Sequence, residues 1–205
     1  MLRLILARHG QTNWNAEHRY QGETDVPLNE TGRQQAAALA HCLADTDLDA
    51  IYASDLQRAA ETAQAVAEPH GQRVRFEPRL REMSFGAWCG LTFEDIRERD
   101  ADRLSAWLAN PMRVAPPEGE TLAQVTARVH SALNDTLHAH PEGTALWVAH
   151  GGVLRVLISL AMGLEPQGHW RFRISVASLA ELWFYDSGVT LTRLNDTYHL
   201  NHQQG

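Results

Sequence analysis

The sequence is poor in cysteine and has no long apolar run. Only two of its 205 residues are cysteine, Cys42 and Cys89, and they form neither a CxxC pair nor a metal-ligand spacing. This usage argues against a disulfide framework and favours a reducing compartment, so we expect a cytoplasmic protein. No apolar run approaches the roughly 20 residues of a membrane span. The first such run meets Arg8 too early to be a signal peptide, so we expect no membrane partner.

Positive charge is also scarce overall. Aspartate and glutamate number 25 against 18 for lysine and arginine, which gives a net charge of −7. This balance argues against nucleic acid as a partner, because binding to a phosphate backbone needs a cationic face. A small anionic substrate needs only local positive charge and remains compatible with the composition.

Strand-like and helix-like segments alternate along most of the chain, whose length fits a single domain over residues 1–205. This alternation predicts an α/β fold with a mostly parallel central sheet flanked by helices. A turn-forming Asp-Ser-Gly between the last two strand-like runs predicts a hairpin near the C-terminus. The strand-like runs cover residues 2–7, 49–54, 73–78, 145–149, 178–185 and 189–194. An interrupted helix is expected over residues 93–108, and an uninterrupted one over 152–162.

Three helix starts are indicated by capping residues. Asn29 precedes one helical pattern, and Ser54 or Asp55 precedes a second. Thr121 and Gln124 match a capping box at the start of a third.

Charged and polar side chains follow the predicted strands at the points where the strands end. Arg8, His9 and His150 directly follow two apolar runs, and Arg58 falls in the first turn of a helix after another. Glu82 follows a fourth run. Because ligands bind at the carboxyl ends of strands in open α/β sheets, we expect these residues to share one crevice.

Two arginines and two histidines in one crevice would make a cationic pocket. The guanidinium group offers planar, multidentate donors that suit a phosphoryl group. The first turn of the Arg58 helix would add free backbone N–H groups. The expected guest is therefore a small phosphate monoester.

The common alternatives for phosphoryl chemistry lack their motifs in this sequence. There is no GxxxxGK[ST] loop and no Cys-x5-Arg cradle. Two nearby arginines would repel a metal ion, so we expect no metal and no cofactor. A histidine nucleophile that forms a covalent phosphoenzyme remains. Arg8 and Arg58 should lower the pKa of His9 and keep it neutral, while Glu82 is a candidate acid for the leaving alcohol.

Six segments carry a family signature in a fixed order. They are LARHGQTNWN, RYQGETDVPLNETGRQQA, IYASDLQRAAETA, LREMSFGAWCGLTFEDI, PPEGETL and WVAHGGVLR. Together they resemble the histidine phosphatase superfamily, which includes cofactor-dependent phosphoglycerate mutases. The resemblance covers nearly the whole chain up to about Arg155.

The resemblance implies specific roles. His9 would be the phosphorylated nucleophile, and Glu82 the proton donor that later activates water. The sequence departs from the usual family pattern at Gln11, where many relatives carry glutamate. Glutamine is a common alternative at this position. The residues that the resemblance assigns to the phosphate pocket are Arg8, Arg58, His150, Asn15, Gln21, Gly22 and Gly151.

Three functions remain open at this point: a phosphatase, a mutase, and a phosphoester-binding module with a decayed site. The sequence contains candidates for the nucleophile, the acid and the phosphate-binding residues, and this argues against a decayed site. The mutases of this type are longer, with loops that exclude water, whereas the segment over residues 90–118 is compact, which favours hydrolysis. The motifs are similar to the shorter phosphatase branch, including alpha-ribazole phosphatase and broad-specificity phosphatases. The oligomeric state stays open, with a homodimer as one option.

Some of these residues also have simpler interpretations. Glu82 could be a surface carboxylate paired with Arg79 or Arg81, and Asn15 could be a turn residue. Trp170 is interpreted as a core residue, whereas Trp14 and Trp88 are candidates for the pocket wall. Cys42 is interpreted as part of a helix core.

Overall fold

A six-stranded sheet forms the centre of the computed structural model, which describes residues 1–200. The strands lie in the order β3-β2-β4-β1-β5-β6. Their bounds are β1 Leu2–Arg8, β2 Ala50–Ala53, β3 Val74–Phe76, β4 Gly143–Ala149, β5 Leu179–Tyr185 and β6 Gly188–Asp196.

Seven α-helices surround the sheet. Their bounds are α1 Asn13–Ala16, α2 Glu30–Leu43, α3 Gln57–Ala67, α4 Phe93–Arg99, α5 Ala101–Ala109, α6 Leu122–Ala139 and α7 Gly151–Ala161. Short 3-10 turns cover Pro78–Leu80, Gly86–Trp88, Pro166–Arg171 and Tyr198–Leu200. Among residues 1–200, no helix is both long and apolar enough to cross a membrane.

The sheet is parallel over β3, β2, β4 and β1, and β5 and β6 add an antiparallel hairpin at one side. This confirms the predicted fold class. The two central strands are in register so that Arg8 on β1 lies opposite Ala149 on β4. The residues that follow, His9 and His150, therefore leave the same edge of the sheet side by side.

Apolar residues cover both faces of the sheet, as expected for strands with helices on each side. Along β1, Leu2, Leu4 and Leu6 face a core that includes α6 and α7. Ile5 and Ala7 face the opposite core, which includes α2 and α3. The central strands are thereby fixed from both sides, and so is the edge from which the histidines leave.

The helix starts confirm two capping predictions and correct one. Asn29 caps α2, and Thr121 with Gln124 forms the capping box of α6. The start of α3 differs: Leu56 is the N-cap residue, and no side chain of that residue caps the helix. The Ser54 hydroxyl instead accepts a hydrogen bond from the Leu56 amide. The predicted interruption within residues 93–108 is present as the break between α4 and α5.

Candidate active site

A cavity of about 500 Å³ opens at the carboxyl edge of the parallel strands. The residues proposed from the sequence converge on it. His150 lies directly beneath its wall, with its ring centroid 5.1 Å from that of His9. The cavity is lined by the predicted residues Arg8, His9, Asn15, Gln21, Gly22, Arg58, Glu82 and Gly151.

His9 is held by hydrogen bonds of its backbone and of its ring. Its amide donates to the Ala149 carbonyl at 3.0 Å, and its carbonyl accepts from the Ala177 amide at 3.0 Å. Its Nδ1 lies 2.6 Å from the Gly10 carbonyl oxygen. Since a carbonyl only accepts, Nδ1 carries the proton and Nε2 keeps its lone pair for attack.

The turn after His9 depends on a close approach of backbones. A Cβ on Gly10 would overlap the carbonyl of Gly32 at the start of α2, so only glycine fits. The Gly10 amide donates to the hydroxyl of Thr62 at 3.1 Å, and that hydroxyl donates to the Arg58 carbonyl. The sequence pattern did not reveal Thr62, which locks this turn onto α3.

Arg8 lies under the beginning of α7. One of its Nη atoms donates to the Ile174 carbonyl at 2.8 Å. A Cβ on Gly151 would lie 3.3 Å from the Arg8 guanidinium carbon, so a glycine here leaves room for the guanidinium. Burial lowers the pKa of Arg8 to about 10, with Arg155 and Arg58 adding to the effect against the opposing charge of Glu82. The group remains cationic at neutral pH.

Arg58 is fully buried and connects three segments of the chain. Its Nε donates to Nδ1 of His150 at 3.2 Å. Its two Nη atoms donate to the carbonyls of Thr24, at 2.8 Å, and Gly22, at 2.7 Å. Arginine has five N–H donors, so two remain for a ligand.

The expected contribution of the α3 amides needs a correction. The Gln57 amide, at the first position of α3, donates to the Asp25 carboxylate at 2.7 Å. Asp25 therefore already satisfies part of this helix start. The cavity is also lined by Gly151, the first residue of α7, where the N-cap residue His150 makes no side-chain cap.

Several buried donors beside the cavity have no protein acceptor within residues 1–200. They are Nε of Arg8, Nε2 of His150 and Nε of Arg155. A buried donor without a partner is costly unless a ligand satisfies it. Three such donors at one cavity suit an anion with several oxygen atoms.

Both histidines are neutral in this environment. Burial lowers the pKa of His9 well below its usual value, and the charges of Arg58 and Arg8 lower it further. Burial, Arg58, His9 and Arg8 act in the same direction on the pKa of His150. The predicted neutral nucleophile is thus explained first by burial and second by the arginines.

Glu82 lines the cavity from the irregular segment after Pro78–Leu80. Its carboxylate accepts from the amides of Met83 and Gly152, each at 3.0 Å. A Cβ on Gly152 would lie only 2.5 Å from Glu82 Oε1, so this glycine is needed for the approach.

The neighbouring arginines do not pair with Glu82. Arg79 forms ion pairs with Glu77 and Asp135, and Arg81 forms one with Asp55. The interpretation of Glu82 as one partner of a surface ion pair is therefore wrong.

Asn15, in α1, and Gln21 and Gly22, in the loop after it, line the same cavity as His9. Asn15 is the last residue of a capping box with Thr12, whose amide donates to Asn15 Oδ1. The Thr12 hydroxyl also donates to Gln21 Oε1 at 3.0 Å. Asn15 is thus a turn residue whose Nδ2 remains as a donor for a ligand. Gly22 has a φ of 53°, which favours glycine.

Several residues of the cavity wall were missed or misassigned from the sequence, and three of them bear on substrate binding. Arg155, His169 and Trp170 all line the cavity. Trp170 is 49% exposed rather than part of the core, and the Arg155 guanidinium lies 5.8 Å from its ring centroid. Trp14 is in the wall as predicted, whereas Trp88 is buried in the core.

Neither cysteine takes part in a disulfide, and Cys42 is exposed rather than in a helix core. No group of three or more His, Cys, Asp or Glu side chains within residues 1–200 is arranged to hold a metal ion.

Comparisons with known proteins agree with this geometry. A family model described as histidine phosphatase superfamily (branch 1) matches residues 4–197. The chain belongs to this superfamily. Its resemblance to the family, stated from the motifs, is confirmed, and so is the predicted class of enzyme, a phosphomonoester hydrolase.

Relatives of this branch 1 histidine phosphatase carry different names. Phosphoserine phosphatase 1 of Hydrogenobacter thermophilus is 34% identical over 200 residues, covering 98% of this chain and 95% of that protein. The Cronobacter sakazakii protein named Probable phosphoglycerate mutase GpmB is 34% identical over 214 residues, covering 98% and 96%. The crystal structure of the alpha-ribazole phosphatase from Shigella flexneri matches with a TM-score of 0.88 at 31% identity, covering 95% and 96%.

Proposed function

We propose that this histidine phosphatase hydrolyses small phosphomonoesters through a phosphohistidine on His9. The observation that carries the proposal is the state of His9: buried, neutral, and with Nδ1 directed to the Gly10 carbonyl. Nε2 attacks phosphorus, and the bond between phosphorus and the ester oxygen breaks. Glu82, in its acid form, gives its proton to the departing alcohol.

The second half-reaction uses the same groups. The Glu82 carboxylate takes a proton from water as the water oxygen attacks phosphorus, and the bond between phosphorus and Nε2 breaks. Inorganic phosphate leaves, and both His9 and Glu82 return to their starting states. No metal ion and no organic cofactor takes part in this scheme.

The remaining cavity groups bind the phosphoryl oxygens in this proposal. Arg8, Arg58 and His150 offer charged or polarised donors, and the Gly151 amide adds one at the start of a helix. Asn15, Gln21 and Gly22 complete this phosphate pocket. Support comes from the buried donors without a protein acceptor at Arg8 and His150.

The ester group would occupy the part of the cavity lined by Trp14, Phe85, Phe93, Arg155 and Trp170. This wall accepts an apolar or ring-shaped group, and Arg155 adds one cation without an ion-pair partner within residues 1–200. Alpha-ribazole phosphate, phosphoserine and a broad range of esters are all compatible substrates.

A mutase is the second candidate, because several relatives are named probable phosphoglycerate mutases. The two activities share the phosphohistidine and differ in whether water reaches it. A phosphate-release panel of small phosphomonoesters, run beside an isomerisation assay with 3-phosphoglycerate, separates them. Release without isomerisation supports the phosphatase, and isomerisation that outpaces release would replace it.

His9→Ala tests the nucleophile. We expect a loss of at least about 1,000-fold in kcat and no acid-labile phosphoenzyme. His138→Ala is the matched control, because His138 lies on the exposed side of α6 and bonds only to the Asn134 carbonyl. Near-normal turnover of His9→Ala would refute the assignment of the nucleophile. Inhibition by a chelator would refute the metal-free scheme.

The single domain and the cytoplasmic location remain predictions. We infer one domain over residues 1–205 because His9 and His150 leave the same edge of one sheet. The two free cysteines support a reducing compartment. The oligomeric state is left open.

A further inference from the structure

Arg128 of α6 lies outside the cavity and is bound to the backbone that carries Glu82. One of its Nη atoms donates to the carbonyls of Arg79 and Arg81, each at 2.7 Å. The other donates to the carbonyl of Glu82 itself at 3.2 Å. Within residues 1–200, these three carbonyls accept no other hydrogen bond.

Glu120 continues this contact on the other side of Glu82. Its carboxylate accepts from Arg128 Nε at 3.0 Å and from Nη2 at 2.9 Å, which makes a two-point ion pair. The same carboxylate accepts from the Ser84 amide at 2.9 Å, and the Glu120 amide donates to the Ser84 carbonyl at 2.9 Å. The pair thus binds the chain before and after Glu82.

The Arg128–Glu120 pair fixes a segment around Glu82 that has no regular secondary structure. Residues 81–85 belong to no helix or strand, so no ladder of backbone bonds holds them in place. A proton donor must keep its oxygen within about 3 Å of the leaving oxygen, and a shift of about 1 Å costs a large part of its effect. We propose that the Arg128–Glu120 pair is the positioning device that holds Glu82 in reach of the leaving group.

The inference rests on the proposed acid role of Glu82. Only arginine fits the position: three carbonyls and a carboxylate need a planar fork of several donors, which the single ammonium of lysine does not provide. The ion pair is also mostly shielded, with 18% and 23% of the two side chains exposed, so solvent does not substitute for it easily.

Leaving groups of different acidity distinguish positioning from general stability. An alkyl phosphate needs a proton on its departing oxygen, whereas p-nitrophenyl phosphate needs little help. We expect Arg128→Lys and Glu120→Gln to lower kcat/KM for an alkyl phosphate by roughly 10- to 100-fold. On p-nitrophenyl phosphate the loss should stay within about 3-fold, because acid catalysis contributes little to that reaction.

Arg79→Met is the matched control. Arg79 also joins this segment to α6, through Ser131 and Asp135, but its side chain makes no contact with Glu82. It should leave the ratio of the two substrates unchanged. Equal losses on both substrates in the Arg128 and Glu120 variants, or the same ratio in Arg79→Met, would overturn the positioning role. If Arg128→Lys does not fold, Glu120→Gln alone carries the test.

A background variant separates this proposal from the function beneath it. In Glu82→Gln the acid is gone, so adding Arg128→Lys should change the alkyl rate by less than about 3-fold, as coupled residues do not add. A further loss of the full size would refute positioning through Glu82. If Glu82→Gln itself shows no preference for the activated ester, the acid assignment fails instead.

Discussion

Arg58 Nε donates to His150 Nδ1 at 3.2 Å, and this hydrogen bond sets the tautomer of a fully buried imidazole. Because Nδ1 accepts, the proton of the neutral ring lies on Nε2. That atom has no acceptor within residues 1–200. One arginine therefore contributes its own donors to the cavity and also orients the donor of a second residue.

This relationship predicts a large effect of a charge-conserving change. In Arg58→Lys, the bonds to His150, Thr24 and Gly22 cannot all be kept, because one ammonium replaces a planar fork. We expect kcat/KM to fall by about 100-fold or more, as for the loss of oxyanion donors. Steady-state kinetics measures it. Arg33→Lys, on the exposed side of α2, is the control. Small and equal losses of kcat/KM in the two variants would contradict the proposed role of Arg58.

The lowered pKa of His9 predicts its charge at acid pH. An ordinary histidine gains a proton near pH 6.5. Burial and the two arginines lower the pKa of His9, so the ring should remain neutral, and a nucleophile, as the pH falls through that range. Nitrogen NMR of labelled imidazole, from about pH 5 to about pH 8, tests this directly. A titration of His9 centred near the ordinary value would show the prediction to be wrong.

Gly152→Ala should damage the acid without touching the nucleophile. The new Cβ would meet Glu82 Oε1 at 2.5 Å, so the carboxylate must move. We expect a loss of about 10-fold or more on alkyl phosphates, with little change on p-nitrophenyl phosphate. Gly168→Ala is the matched control, since among residues 1–200 its Cβ would meet only the Cδ of Arg171, at an ordinary contact distance of 3.9 Å. Activity of Gly152→Ala equal to that control would rule out the crowding argument.

Arg155 predicts a preference among ester groups. Its Nε is buried and has no hydrogen-bond partner among residues 1–200, and its guanidinium packs on Trp170 in the cavity wall. A carboxylate on the ester group would satisfy it, at a value of about 10-fold or more in affinity. Arg155→Met should therefore raise KM for phosphoglycolate by that factor and leave ethyl phosphate nearly unchanged. Similar changes for both substrates would exclude charge recognition by this residue.

The placement of His9 and His150 at one edge of the sheet could be predicted from the sequence because it depends on few contacts. Arg8 and His9 end one apolar run, and His150 ends another. Parallel pairing of the two strands in register is enough to bring these ends together, and the chain pattern already favoured parallel strands.

The start of α3 could not be predicted in the same way. The nearby Ser54 and Asp55 looked like caps, yet the carboxylate that satisfies the first amide is that of Asp25, which lies far away in the sequence. Such a contact exists only after the loop has folded onto the helix. Local patterns do not contain it.

The surroundings of Glu82 were also beyond the sequence. Its carboxylate is held from α7 by Gly152, and its backbone from α6 by Arg128. The tryptophans show the same limit, because Trp88 and Trp170 differ in burial through packing of distant segments rather than through local pattern. The sequence shows where a tryptophan lies along the chain but does not show whether it is buried in the core or lines the cavity.

The two halves of the catalytic centre differ in how firmly the fold holds them. The proposed nucleophile, His9, follows β1 at the centre of a sheet covered on both faces, so the amides of this segment should exchange hydrogen only through global opening. The proposed acid, Glu82, lies on a segment held by side chains, and such a segment can open locally at lower cost. Warming the enzyme should therefore erode proton donation before phosphoryl transfer. The protein would pass through a state that still cleaves activated esters but no longer cleaves ordinary alkyl ones.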